Sequence, residues 1–293
     1  MDNIVKTISQ YLDLVSKSRN KGIEHTPYFR GHANKSWDLC PASARIFTSS
    51  QEFHSYAMAI KEYPELFREC KSRLEEFIIL QHYGLPTCLL DITSNPLVAL
   101  YFACLPDGNE SDGCVFSIPK YNRSEKNTDL WIEWMLSLKV QTGEHFNSSF
   151  SFEKAVKILN INKEAYEFLF ENLTEAQIVI PPINNDRIRA QAGAFLLSGF
   201  EVPDVKDYAV KYTEMVENKE YDIDEMRQIL FRNFSKDSYL DKYSNAFNLL
   251  ASIPYTSKSS ILKELDMCGI NEATLFPEPE HQMQYIKNKI LSM

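Results

Sequence analysis

Arg30 is the side chain of this sequence best suited to gripping an anion. It stands in the run Tyr28-Phe29-Arg30-Gly31, and a planar guanidinium takes a phosphate or carboxylate through two parallel hydrogen bonds. The stretch from Gln81 to Cys104, QHYGLPTCLLDITSNPLVALYFAC, supplies further chemical groups. His82 is an acid, a base or a donor. Asp91 lies between Leu90 and Ile92, so its carboxylate is expected to be partly buried and paired. Thr93, Ser94 and Tyr101 add hydroxyl groups and a ring. Gln191 stands where DRIRAQAGAFLL turns from polar to apolar, and its amide suits a ligand amide or a ribose. Each has a structural alternative that the residues leave open. Arg30 can pair with a carboxylate such as Asp91, His82 can cap a helix, and Thr93 and Ser94 can help cap the next one. Tyr101 can be core, and Gln191 can bond only to backbone.

These groups need elements to hold them. Residues 27–31 read as a short strand, which puts Tyr28 and Arg30 on the same face. Gly31 then removes a side chain where a ligand or another backbone comes close. Residues 51–80 read as helical, divided at Pro64. Tyr83–Ser94 reads as a loop, and loops held between rigid elements often carry function. Asn95-Pro96 starts a helix, Asn as cap and Pro at the first turn, and the apolar run Leu97–Cys104 predicts that it is buried. Cys114–Ile118 reads as a strand. Helices are expected over 128–140, with Trp131, Trp134 and Leu138 on one face, and over 152–172. Gln177–Ile180 is a strand candidate, and Asp186–Leu197 reads as a strand that begins polar. The chain opens with an amphipathic helix carrying Ile4, Ile8, Tyr11, Leu12 and Val15 at helical spacing, with a turn at Lys21-Gly22. The last third reads as mostly helical. The expectation is one α+β domain over 1–293: an N-terminal helix over 1–20, a core over about 25–200 with a small central sheet and helical insertions, and a helical part over 201–293.

The bulk properties remove several classes. The 293 residues are ample for a sizeable core, and 44% hydrophobic with 24% charged residues is ordinary globular usage. A formal net charge of −9 disfavours binding to nucleic acid. No apolar run reaches the roughly 18 residues of a membrane span, and the amphipathic N-terminus is not a secretory signal. The six Cys form no CxxC pair and no zinc spacing. They read as reduced thiols of a cytoplasmic protein, and no metal is expected. The phosphate-binding GxxxxGK[ST], the GxSxG elbow, HExxH and the dinucleotide GxGxxG are all absent.

Four ordered blocks resemble the FRG-domain family: YFRG with Trp37 and Pro41 to Arg45, QHYGLPT with LLDITSNPLVALYFA, DRIRAQAGAF, and GINEATLFPE. Two positions depart from the family pattern: Cys88 stands where Arg is usual, and Ile92 where Trp is usual. The order of elements is also similar to that of the arginine-type ADP-ribosyltransferase fold. That resemblance implies NAD as substrate and no metal. It places Tyr28, Arg30, Gly31, Thr93, Ser94 and Tyr101 around the cofactor, with Arg30 on the phosphates and Tyr28 or Tyr101 stacked on nicotinamide. His82, Asp91 and Gln191 are the implied catalytic set, with Gln191 where that fold normally has Glu. It implies an enzyme that modifies a macromolecular acceptor, as a bacterial or phage toxin or defence effector. Two alternatives stand beside it: a nucleotide- or ligand-sensing module using the same pocket, and a ribonuclease built on His82 and Asp91.

Overall fold

The computed structural model describes residues 3–19, 28–47, 49–118, 128–144, 149–151, 157, 159–160, 176–182, 185–201, 230–233 and 247–291. The turn expected at Lys21-Gly22 and nearly all of the helix expected over 152–172 lie outside them. Along the described chain run α1 (Ile8–Arg19), β1 (Tyr28–His32), α2 (Ala42–Ile46), α3 (Ser49–Glu62), α4 (Pro64–Phe67), α5 (Arg73–His82), β2 (Leu89–Thr93), α6 (Pro96–Cys104), β3 (Gly113–Ile118), α7 (Thr128–Glu144), β4 (Ser149–Ser151), β5 (Ala176–Val179), α8 (Asp186–Ala190), β6 (Gly193–Ser198), β7 (Phe200–Glu201), β8 (Leu230–Asn233), β9 (Asn248–Ile253), α9 (Tyr255–Met267), α10 (Glu272–Leu275) and α11 (Pro279–Leu291). The fold is α+β. Six strands pair antiparallel in the order β5-β6-β2-β1-β3-β9, and β4-β8-β7 make a separate small sheet. Among the described residues no helix is long and apolar enough to cross a membrane.

Alternation divides the sheet into two faces. The registers Phe29↔Thr93, Gly31↔Val115 and Asp91↔Phe195 put these six residues on one face. Tyr28, Arg30, Leu90, Ile92 and Leu196 are therefore on the other. The second face is covered by a cluster that joins Tyr28, Leu90, Ile92 and Leu196 to Leu39, Cys40 and Phe247. The first face carries two clusters. One brings Leu89, Phe195 and Leu197 against α5 and α7, including the expected Trp131, Trp134 and Leu138. The other packs Phe29, Val115, Ala251 and Ile253 against α6, with α1 and α9 behind it.

Helix α6 is apolar all round because it lies between the sheet and α1 with α9. Its approach is so close that a Cβ on Gly31 would overlap the Ala99 carbonyl, and one on Gly113 the Ala103 carbonyl. The neighbour that Gly31 admits is thus a helix backbone rather than a ligand. Asn95 caps this helix by accepting from the Leu97 N–H, with Pro96 in the first turn, as the sequence predicts.

Four expectations are corrected. The N-terminal helix begins at Ile8, because the backbones of Asn3 and Val5 bond to Ser252 at the edge of the sheet. Leu89–Thr93 is a central strand, not part of a loop: Leu90 and Ile92 bury on one face while Asp91 turns to the other. Residues 186–190 are helical, because the Asn185 side chain accepts from the Arg187 and Ile188 N–H groups and so starts a helix. The region after residue 200 contributes β8 and the sheet strand β9, so the central sheet is larger, and the last third less purely helical, than expected. β9 is an edge strand, NLLASI, that buries Leu250–Ile253 and has no turn signal of its own.

Candidate functional site

Strands β1 and β2 are registered at the single pair Phe29↔Thr93, whereas β1 and β3 hold five pairs. Past that pair the strands part, and the Asp91 carbonyl accepts from the Arg30 Nη1 (2.5 Å) instead of from a β1 amide. The Arg30 Nε donates to His32 Nε2 at 3.0 Å. Two of the five N–H groups of the guanidinium are thereby used to fill the parting. Burial lowers the Arg30 pKa, and Asp91 opposes that shift; the side chain retains 18% exposure. Since His32 Nε2 accepts, the proton of the neutral ring is on Nδ1. Burial first, then Arg30 and Arg45, push the His32 pKa down to about 3, with the Trp37 backbone acting in the opposite sense.

A cleft of about 340 Å³ opens at this point, at the lower end of the range of ligand sites. Its floor is Phe29, Gly31, Asp91 and Thr93, and its apolar walls include Ile78, Val98, Phe102 and Ile188. Arg30, Gln81, His82, Arg187 and Gln191 supply its polar groups. An apolar cleft with a few converging polar groups is the ordinary form of a small-molecule site.

The implied catalytic residues, His82, Asp91 and Gln191, all line this cleft, although they come from the end of α5, the middle of β2 and the turn after α8. Asp91 departs from its expected burial: its side chain is 67% exposed. Its Oδ1 accepts from Gln81 Nε2 at 2.6 Å, and its Oδ2 lies 3.9 Å from Arg30 Nη1. The Thr87 hydroxyl donates to Gln81 Oε1, which fixes the amide with its nitrogen toward Asp91. Gln191 is committed to structure: its Nε2 donates to the Leu275 carbonyl (3.1 Å), and its own carbonyl accepts from the Thr93 hydroxyl (2.7 Å).

The implied cofactor residues divide. Arg30, Gly31 and Thr93 line the cleft. Thr93 Oγ1 also accepts from the Asn95 N–H, so its hydroxyl ties the end of β2 to the start of α6 and to the Gln191 turn. Ser94 lies outside the lining and donates to the Ala192 carbonyl. Tyr28 lies outside it on the opposite face of the sheet, and Tyr101 packs in the cluster under α6.

Two polar residues of the cleft carried no sequence signal that singled them out. Gln81 precedes His82 in the same motif and reads as an ordinary helix residue. Arg187 lies in DRIRAQAGAF, which reads as a strand, and only the Asn185 cap turns its side chain into the cleft wall. Among the described residues no cluster of His, Cys, Asp and Glu is arranged to hold a metal ion.

Residues 25–112 match the FRG domain family, so the chain carries an FRG domain over this stretch. The match spans β1, α2 to α6 and β2, and hence Arg30, Gln81, His82 and Asp91. Arg187 and Gln191 lie beyond it. Searches of curated proteins and of solved structures give no match.

Proposed function

We propose that this cleft binds a nicotinamide nucleotide and transfers its ADP-ribosyl group to a macromolecular acceptor, in a fold of the ADP-ribosyltransferase type. The observation that carries the reading is the position of Asp91. It is an exposed carboxylate held by an amide at the floor of an apolar cleft, with guanidinium groups of Arg30 and Arg187 nearby. The two arginines suit the pyrophosphate. In the reaction the C1′–N bond breaks, its electron pair leaves on nicotinamide, and positive charge develops at the ribose. Asp91 faces that charge, and a fixed anion aimed at developing positive charge lowers the barrier. The acceptor nucleophile forms the new bond to C1′ and gives its proton to His82. The polar tools left uncommitted by the fold support this division of labour. Gln191, Thr93 and Ser94 are bonded to backbone, so the chemistry rests on Asp91 and His82. A toxin or defence effector is the setting in which such a transfer has its use.

One observation favours a second reading. The Gln191 amide is spent on the Leu275 carbonyl, and a cleft without a base at that position fits a sensor that binds the nucleotide and leaves it intact. The test is incubation with NAD and acceptor extract, measuring nicotinamide release. The expected result is release by the wild type and a roughly 10²–10³-fold slower rate in Asp91→Asn, with NAD affinity and melting temperature kept. Binding of NAD without release by the wild type establishes the sensor; no binding at all rejects both.

A further inference from the structure

The segment 272–282 is fastened against the cleft wall. The Leu275 carbonyl accepts from Gln191, Arg187 stacks over the Phe276 ring at 4.7 Å, and Phe276 meets Phe102 edge-on. Gln282 Nε2 closes the segment by donating to the Ala273 and Phe276 carbonyls. Glu278 follows, between Pro277 and Pro279, and its carbonyl accepts from the His281 and Gln282 N–H groups at the start of α11. Its carbonyl is therefore held in place.

Its carboxylate is held differently. Oε1 lies 3.9 Å from His82 Nδ1 and 3.9 Å from Arg187 Nη1. Both distances exceed a hydrogen bond. Oε2 is shut off from solvent and has no hydrogen-bond partner among the described residues. A sealed carboxylate oxygen without a partner is unusual in a settled structure. Glu278 is not in the lining of the cleft, yet His82 and Arg187, the two groups it faces, are. It stands behind them, one from the end of α5 and the other from α8.

Resting on the ADP-ribosyl transfer reading, we infer that Glu278 is the positioning residue of the site, orienting His82 for proton transfer and holding Arg187 beside it. The geometry supplies the reason. A carboxylate on Nδ1 draws the ring proton to that nitrogen, and the lone pair is then on Nε2, ready to take the acceptor's proton. Neutral imidazole in water favours the opposite tautomer, so His82 needs this neighbour to present Nε2 as a base. Catalytic hydrogen bonds commonly reach full strength only with the substrate in place, and a small turn of the imidazole closes the 3.9 Å gap. The same carboxylate keeps Arg187 from swinging toward solvent.

The experiment reads His82 directly. Nitrogen-resolved spectra of the neutral imidazoles, with the His82 signal assigned from its loss in His82→Gln, report which nitrogen carries the proton. The expected result is Nδ1–H in the wild type and a return to Nε2–H in Glu278→Gln. Nicotinamide release should fall in Glu278→Gln by about 10²-fold or more in kcat, with a smaller rise in KM for NAD as Arg187 loosens and partial recovery in Glu278→Asp. A wild-type ring protonated on Nε2, or an unchanged tautomer in a folded Glu278→Gln protein, overturns the inference; so does a rise in KM at constant kcat. The wild-type spectrum decides even if the variant does not fold. If the wild type releases no nicotinamide, the transfer reading fails by itself, and the tautomer still decides the part played by Glu278.

Discussion

Two sets of charged groups lie within a few residues of β2, and they are built in opposite ways. In the cleft, Asp91 is exposed, Gln81 anchors it and Arg30 stands 3.9 Å away. Behind the start of the strand, Lys139 and Glu52 meet next to Cys88, sealed in the cluster under α5 and α7. Burial raises the Glu52 pKa, with Lys139, Ser43 and Cys88 opposing it; burial lowers that of Lys139, with Cys88 and Glu52 opposing. The Cys88 thiol is pushed up by burial and then by Glu52. Lys139 donates to the Gly199 carbonyl and lies 4.5 Å over the Phe200 ring. The shifts of the sealed set are thus imposed by burial, while the groups with access to a ligand are those that line the cleft. A shifted pKa marks burial first and chemistry only when a cleft reaches the group.

The sharpest way to break this contrast is Lys139→Ala. It leaves the Glu52 carboxylate sealed without its cation, which costs on the order of 3–5 kcal/mol. The expected result is a large fall in the urea midpoint with nicotinamide release per folded molecule unchanged. A stable variant that has lost turnover would move Lys139 into the working site. A smaller effect is expected at Arg30. Lys keeps the charge but cannot serve both the Asp91 carbonyl and His32 Nε2, so Arg30→Lys should lose about 1.5–3 kcal/mol, the value of a charged hydrogen bond. It should also weaken NAD binding, measured by calorimetry. Retained stability with lost binding would make Arg30 purely a ligand group; lost stability with intact binding would make it purely a wedge between the strands.

The smallest effect is a slope. Folded His32 stays neutral down to about pH 3, whereas the unfolded chain takes up that proton near 6.5. Stability from this group is therefore complete above about pH 6.5 and is lost as pH falls toward 3, by at most about 1.4 kcal/mol per pH unit. Urea midpoints between about pH 6.5 and 4.5 should fall less steeply in His32→Gln than in the wild type. Equal slopes in the two proteins would show that His32 is protonated in the fold.

The elements that the sequence marks with caps and periodicity are the ones it placed well. Asn95-Pro96 before an apolar run defines α6, and Trp131, Trp134 and Leu138 define the buried face of α7. The convergence of His82, Asp91 and Gln191 on one cleft follows from polar groups lying at the ends of apolar segments. Other features depend on partners distant in the chain. Asp91 looks buried between Leu90 and Ile92, but a strand sends it to the opposite face from both. Thr93 and Gln191 look like ligand groups, and only the fold shows them bonded to each other's neighbourhood. Glu278 closes the GINEATLFPE block, but nothing in the sequence singled out its carboxylate, because its neighbours His82 and Arg187 are joined to it only through the folding of 272–282 against α8.

The sheet also imposes a timetable on synthesis. Strand β3 pairs on one side with β1, already made before it, and on the other with β9, made last among the six. Between Ile118 and Ile253 lie about 135 residues, which at about 5–20 residues per second take roughly 7–27 s to emerge from a ribosome. Through that interval the apolar edge of β3 has backbone groups without a strand beside them, the condition in which nascent chains join one another. The nascent protein therefore has a vulnerable age, and a slow ribosome lengthens it.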